Sequence, residues 1–374
     1  MSETKKEELM TTSSSFVNGT KGELIYRGYD IRELGPNATF EEVVYLLWND
    51  KLPNEQELSH FKAALESKRA LPDVLLNTLR GFPRDAHPMA VLRTTVSALG
   101  LLDKDADNIT QEGAREKALL LTAIMPTLVA AWERVRNGHD PIPQREGLGH
   151  AANFLYMLDG KEPDPDAVAT LDSYLVMLAD HGFNASTFSA RVTTSTGSDV
   201  YSAITSAIGT LKGPAHGGAT QRAMEQFLDA GERGDVAQWF KEARESGKRI
   251  MGIGHRIYKV EDPRARILRP LTQRLAASSG TSKWFDIAYE IEQLARKDDY
   301  FIERDLYANV DYYSAVALYT IGLPVDQFTC IFTMSRIAGW SSQVLEQLAD
   351  NRLIRPKEGY IGKRDQKYIP LAER

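Results

Sequence analysis

Gly252-Ile253-Gly254-His255-Arg256-Ile257-Tyr258-Lys259 decides how the chain is read. It begins like the Gly-x-Gly-x-x-Gly fingerprint of dinucleotide-binding proteins, but Ile257 stands where the third glycine belongs. Nor does the alternation of strand and helix patterns that a doubly wound sheet requires surround it. The stretch therefore reads as a glycine-rich break between helices. Upstream, Asp235 can cap a helix running towards Gly247, a good stop. Downstream, Pro263 suits the first turn of a helix carrying Ile267, Leu268 and Leu271.

The same punctuation continues outward. Thr39-Phe40-Glu41-Glu42 is a capping box ahead of Val43, Val44, Leu46 and Leu47. Pro324 suits the first turn of a long helix ending near Leu348. Ala118 to Trp132 is mostly apolar and interrupted by Pro126; its 15 residues fall short of the ~20 a membrane helix needs, so a buried core helix is expected. Leu24 to Ile31 is short and β-prone. Residues 1–20 are polar, with loose order expected at the very start. No repeat of 20–50 residues is present. The class is mainly α.

The 374 residues suggest about two domains, and 43% hydrophobic against 26% charged residues is ordinary globular usage. Lys plus Arg number 45 against 51 acids, a net charge of -6 that argues against nucleic acid as a partner but leaves room for small anions. The single cysteine, Cys330, excludes an internal disulfide and a Cys-rich zinc site. Met1 to Glu8 mixes charges, has no apolar core and carries three glutamates, unlike secretory or mitochondrial leaders. A soluble cytoplasmic protein without a membrane contact is expected.

There is no phosphate loop, His-Glu-x-x-His helix or Gly-x-Ser-x-Gly elbow. The histidines, at 60, 87, 139, 150, 181, 216 and 255, are too scattered for a local metal cluster, so no metal is expected. What remains is a set of polar residues in breaks or in apolar surroundings: His181, His216, His255, Arg264, Asp311, Arg336 and Arg355. Singly, each has an ordinary account, such as a hydrogen-bonded core histidine, a helix cap at Asp311 or a surface charge at Arg355. Jointly they suit one chemistry. Arginine forks bind carboxylates, and histidines with a carboxylate can enolise a carbonyl compound and protonate an alkoxide. The pattern suggests carbon–carbon bond formation between a carbonyl acid and an enolisable partner, without naming that partner.

From Tyr26-Arg27-Gly28-Tyr29-Asp30 to Asn351-Arg352-Leu353-Ile354-Arg355-Pro356 the chain resembles the citrate synthase family. The resemblance is carried by His181-Gly182-Phe183-Asn184-Ala185-Ser186-Thr187-Phe188, Leu211-Lys212-Gly213-Pro214-Ala215-His216-Gly217-Gly218-Ala219, Gly252 to Lys259 and Asn309-Val310-Asp311-Tyr312-Tyr313-Ser314. It implies condensation of acetyl-CoA, a co-substrate rather than a tightly bound cofactor, with oxaloacetate. His216 would hold the thioester oxygen while Asp311 takes a methyl proton. His255 would polarise the ketone and protonate the alkoxide. His181, Arg264 and Arg336 would bind oxaloacetate, with Arg355 reaching into the partner's site of a homodimer. The main chain of Arg249, Ile250, Met251, Gly252, Ile253 and Gly254 would hold the CoA adenine.

The resemblance also implies a two-domain helical fold: a large domain (1–218 and 321–374) with an inserted small one (219–320) that closes on oxaloacetate. Ala308 and Cys330 stand where proline is common in the family, and only tuning of helix geometry is expected from them. The short N-terminus lacks the β-rich segment of the larger, NADH-inhibited members, so a dimer without that inhibition is expected. Two alternatives stand beside this reading. One is 2-methylcitrate synthase, the same machinery using propionyl-CoA, since one methylene shifts selectivity by only ~1–3 kcal/mol. The other is a non-catalytic helical module that binds CoA.

Overall fold

The computed structural model describes residues 10–374. The loose order expected at the start of the chain concerns residues 1–9, which lie outside the described residues. A small antiparallel sheet comes first: β1 (Ser15–Asn18), β2 (Glu23–Tyr26) and β3 (Tyr29–Asp30), in that order. β1 falls in the stretch read only as polar, beyond the very start where loose order is expected. Phe16 pairs with Ile25 and Val17 with Leu24. Its inward side chain at Ser15 is a buried hydroxyl, so hydrophobic alternation could not reveal it.

Helices follow: α1 (Ile31–Asn37), α2 (Phe40–Asn49), α3 (Glu55–Ser67), α4 (Asp73–Gly81), α5 (Pro88–Leu102), α6 (Gln111–Arg136), α7 (His150–Asp159), α8 (Pro165–Leu178) and α9 (Ala185–Ser195). Then come α10 (Val200–Leu211), α11 (Ala219–Arg233), α12 (Val236–Glu245), α13 (Pro263–Ser279), α14 (Lys283–Ala295), α15 (Asp299–Ile302), α16 (Val310–Thr320) and α17 (Phe328–Ala349). The fold is mainly α.

The start signals act as their chemistry requires. Thr39 and Glu42 make both halves of the capping box on α2, and Asp235 caps α12. Pro263 sits in the first turn of α13 behind its cap, Asp262. Two readings shift. Pro324 precedes a 3-10 turn, Val325–Gln327, and α17 begins only at Phe328. Asp311 does not cap α16; Asn309 does, and Asp311 lies in the first turn with its carboxylate free of capping. Ala308 lies outside any helix, in an antiparallel bridge with Ile253. Helix α6 has the length and apolarity of a membrane span, yet 72% of its apolar window is buried inside the protein.

The core is built around α17, in which every residue except Glu346, Leu348 and Ala349 is buried. It packs against α2, α6, α8, α9 and α10. Such burial on all sides demands close approach somewhere, and Gly339 provides it. Its N–H donates to the Ala179 carbonyl at 3.1 Å, just past the end of α8. Helices α11 to α16 pack on one another, and α13 also lies on α1 and α8, where Arg274 pairs with Asp166 at 2.9 Å.

A Cβ at Gly339 would overlap the Ala179 oxygen and stand 2.7 Å from Asp180 Oδ1. Gly339→Ala should therefore destabilise the protein by about 1–3 kcal/mol, read as a lower denaturant midpoint. An unchanged midpoint would mean that α17 has room to move.

Candidate active site

Three breaks between helices carry the histidines, and two of these rings stand beside each other. His181 follows α8, His216 sits in the turn from α10 to α11, and His255 lies in the loop ahead of α13. The rings of His181 and His255 stand 5.8 Å apart, edge to face. Tyr258 closes the group: its hydroxyl is 3.1 Å from His181 Nε2, and its ring lies 4.8 Å from that of His255.

Main-chain donors fix two of these rings. Ile257 and Tyr258 both donate their N–H to His255 Nδ1, at 3.0 and 3.1 Å. Nδ1 must then be an unprotonated acceptor, so the neutral ring carries its proton on Nε2. The Ser186 N–H points at His216 Nε2 at 3.3 Å, with the Ser186 hydroxyl at 2.8 Å. Nε2 is the acceptor there, and the His216 proton sits on Nδ1. Ser186 lies in the first turn of α9, so the ring faces one of that helix's unpaired N-terminal donors. The dipole that favours a neutral His216 is thus that of α9. Burial, followed by the field of Arg336, brings the His216 pKa down to about 4. Burial and Arg264 do the same for His255, also about 4. Burial, Arg264 and Arg336 hold His181 well below its ordinary value. All three are neutral donors at neutral pH.

The cations are arranged in two ways. Arg264 forks onto Asp262 at 3.0 and 2.8 Å, both groups being buried, and leaves Nη1 without a protein acceptor among the described residues. Burial opposes ionisation of Asp262, but the Arg264 fork prevails and holds its pKa below the ordinary carboxylate value. Arg336, 2% exposed, has no carboxylate at ion-pair distance among the described residues. Its Nε donates to the Leu178 carbonyl at 2.7 Å, and its guanidinium lies over the Phe332 ring. A buried cation is rarely left so, because desolvation costs several kcal/mol. The arrangement is that of an anion receptor.

Asp311 accepts the Thr220 hydroxyl at 2.6 Å on Oδ1, and no hydrogen bond reaches Oδ2 among the described residues. Burial raises its pKa, against the lowering effects of the Thr220 hydrogen bond and of Arg264. The site thus pairs a somewhat basic carboxylate with neutral imidazole donors, which is the equipment for moving a proton from carbon while an oxygen is being hydrogen-bonded.

The loop from Arg249 to Gly254 is bolted to the chain ahead of α16. Gln226 clamps Met251 through both its N–H and its carbonyl, Asn309 donates to the Gly252 carbonyl, and Gly254 donates to the Tyr307 carbonyl. These bonds leave the main chain of Arg249, Ile250 and Ile253 free of protein partners among the described residues. Arg355 is not brought to the cluster of its own chain. It is exposed, and neighbouring Ile354 is held by Ser195 at the far end of α9, some ~15 Å of helix from Ser186.

The sequence did not single out Ser186, Thr220, Tyr258, Asp262 or Gln226. Only Asp262 had a local signal, as an aspartate ahead of Pro263. His87 caps α5 and His150 is buried against the Phe40 ring, both ordinary structural roles. Cys330 is buried in α17, and burial raises its thiol pKa.

A family model described as citrate synthase, C-terminal domain, matches residues 4–357. A citrate synthase of Haloferax volcanii is 47% identical over 365 residues, covering 96% of this chain and 95% of its own. A 2-methylcitrate synthase of Mycobacterium tuberculosis is 38% identical over 360 residues, covering 96% of this chain and 90% of its own. A solved citrate synthase from Thermoplasma acidophilum, in ternary complex with carboxymethyl coenzyme A and oxaloacetate, has a TM-score of 0.91 at 31% identity. That match covers 99% of this chain and 98% of the other.

Thr220→Val keeps the shape of the side chain and removes the hydrogen bond that favours the ionised Asp311. The Asp311 pKa should rise, and carbon-13 NMR of its carboxyl would show protonation setting in at higher pH than in the wild type. An unmoved titration would mean that the Thr220 hydroxyl does not act on the carboxylate.

Proposed function

Because the chain belongs to the citrate synthase family, we propose that it condenses acetyl-CoA with oxaloacetate and hydrolyses the resulting citryl-CoA to citrate and CoA. The observation that carries this reading is Arg336, a buried guanidinium with no carboxylate at ion-pair distance among the described residues and only the more distant Asp180 in its favour, next to histidines held neutral. Such a site calls for an anionic substrate that also offers a carbonyl oxygen. Oxaloacetate has two carboxylates for Arg336 and the open end of Arg264, and a ketone for the histidines.

The steps follow from the ring tautomers. The Nδ1–H of His216 hydrogen-bonds the thioester oxygen while the Asp311 carboxylate takes a proton from the methyl carbon, giving an enol or enolate. That carbon attacks the ketone carbon of oxaloacetate. The ketone π electrons move to oxygen, and the Nε2–H of His255 supplies the proton that makes the hydroxyl. Water then cleaves the thioester, releasing CoA. His181 completes the set of donors on the oxaloacetate side. The free main-chain groups of Arg249, Ile250 and Ile253 are available to the adenine.

Residues 219–320 act as a small domain in this proposal, carrying His255 and Arg264 and closing on oxaloacetate. The enzyme works in the cytoplasm as a homodimer. Arg355, exposed and remote from its own site, suits a contribution to the site of the partner. The alternative of 2-methylcitrate synthesis uses every group in the same role, and the resemblance to the mycobacterial 2-methylcitrate synthase keeps it in view. The non-catalytic module loses its ground, since a CoA-binding scaffold has no use for a buried carboxylate of raised pKa and for imidazoles fixed in one tautomer.

Thiol release with oxaloacetate and acetyl-CoA, run beside propionyl-CoA, tests the proposal. Faster release with acetyl-CoA is expected, a preference for propionyl-CoA moves the enzyme to 2-methylcitrate, and no release with either removes the reading. Asp311→Asn should lower turnover by about 10²–10⁴-fold while oxaloacetate still binds. Near-normal turnover would exclude Asp311 as the base. An Arg355→Ala chain mixed with a His255→Ala chain should regain activity through hybrid dimers. Failure to do so despite demonstrated subunit exchange would leave Arg355 out of the site.

A further inference from the structure

The hairpin of β1 and β2 touches both histidine segments on the oxaloacetate side. The Ser15 hydroxyl donates to Asp180 Oδ2 at 2.7 Å and accepts the Gly182 N–H at 2.9 Å. It therefore binds the residues on either side of His181. On the paired strand, the Tyr26 hydroxyl donates to the Asp180 carbonyl at 2.8 Å. At the other end, the hairpin turn meets the chain that follows His255. Lys259 donates its N–H to the Gly19 carbonyl at 2.9 Å. A Cβ at Gly19 would overlap the Ile257 carbonyl oxygen, and one at Gly22 would stand 2.8 Å from Val260 Cγ2.

We propose that this hairpin is a clasp that sets the spacing of His181 and His255, with Ser15 and Gly19 as its positioning residues. The proposal rests on the reading of that pocket as the oxaloacetate site. Its force lies in the order of contacts. Gly19 presses on the Ile257 peptide, the Ile257 and Tyr258 N–H groups hold His255 Nδ1, and that pairing fixes both the tautomer and the direction of Nε2–H. Ser15 does the same for His181 through Asp180 and Gly182. One short strand pair thereby joins two segments that are 74 positions apart between the histidines they carry (255 minus 181). Among the described residues it makes no hydrogen bond to Asp311 or to the loop from Arg249 to Gly254. Its effect falls on one substrate only.

Gly19 is the sharper probe because its φ lies outside the left-handed region, so alanine brings no backbone strain of its own. Gly22, with φ at 65°, would confound the two effects. Gly19→Ala should raise the KM for oxaloacetate, and weaken its binding in the absence of acetyl-CoA, by about tenfold or more, as expected when a binding group is displaced by a fraction of an ångström to an ångström. The KM for acetyl-CoA should stay within about twofold, and the nitrogen-15 signature of the His255 tautomer should shift. Ser15→Ala should give the same split between the substrates and serves if Gly19→Ala does not fold. Lys21→Ala, at the exposed tip of the same turn, should behave as wild type.

Unchanged oxaloacetate binding in a folded Gly19→Ala or Ser15→Ala variant overturns the clasp. So does an equal rise in both KM values, or a loss of kcat alone, which is what mere destabilisation would give. Wild-type protein that binds no oxaloacetate would refute the functional reading itself, an outcome distinct from all of these.

Discussion

Arg336 is the constraint on which the rest depends. A cation with 2% exposure and no ion pair among the described residues needs a rigid frame, because its own protein contacts must offset part of the desolvation cost until an anion arrives. That rigidity comes from α17, which is buried on all sides and pinned to the end of α8 at Gly339. The same end of α8 supplies the Leu178 carbonyl for the guanidinium and presents His181 beyond it. Asp180, between them, is buried, and its Oδ2 is held by Ser15 and Gln343. Packing and electrostatics are one problem here, since any slack in the helix contact would be filled by solvent.

The positive field has a second consequence. Arg336 and Arg264 both press the nearby imidazoles towards neutrality, in the same direction as burial. A neutral imidazole is a poor acid, but it donates a hydrogen bond without giving up its proton until the acceptor becomes strongly basic. Its usefulness then rests on which nitrogen carries hydrogen. In both fixed rings that choice is made by backbone N–H groups, which cannot rotate away as side chains can. Asp311 is treated differently: burial raises its pKa against the opposing pull of one hydroxyl and the arginines, which makes its ionised form the stronger base.

What the sequence revealed follows the range of the forces involved. Capping boxes, prolines at helix starts and glycine-rich breaks act within a few residues, and Thr39, Asp235 and Pro263 behaved as read. The apolar run at Ala118 to Trp132 also declared itself, because a fully buried helix needs no periodicity. Most failures involve distant partners. Ser15 looked like part of a polar stretch because the Asp180 that makes it a core residue lies 165 positions away. Thr220 and Ser186 carry no local mark of their bonds to Asp311 and His216. Asp311 was open to reading as a helix cap for a local reason: Asn309, two residues earlier, is an equally good capping residue and takes the task.

The origin of each group also bears on the order of events. Arg336, His181 and His216 come from outside residues 219–320, whereas His255, Arg264 and Asp311 come from within them. In the proposed reading the oxaloacetate set would therefore be split, with Arg336 and His181 on one side and His255 and Arg264 on the other. The proposed acetyl-CoA pair would be split likewise, between His216 and Asp311. Thr220, beside the first crossing at 218/219, and Asn309, at the start of the helix that leads to the second crossing, both bond to Asp311. In that reading a dianion held between Arg336 and Arg264 would tie the two sides together around the His181–His255 spacing that the hairpin sets, and bring Asp311 towards His216. Binding of the first substrate would then build the site that activates the second, so that the thioester is enolised only where a ketone already waits for it.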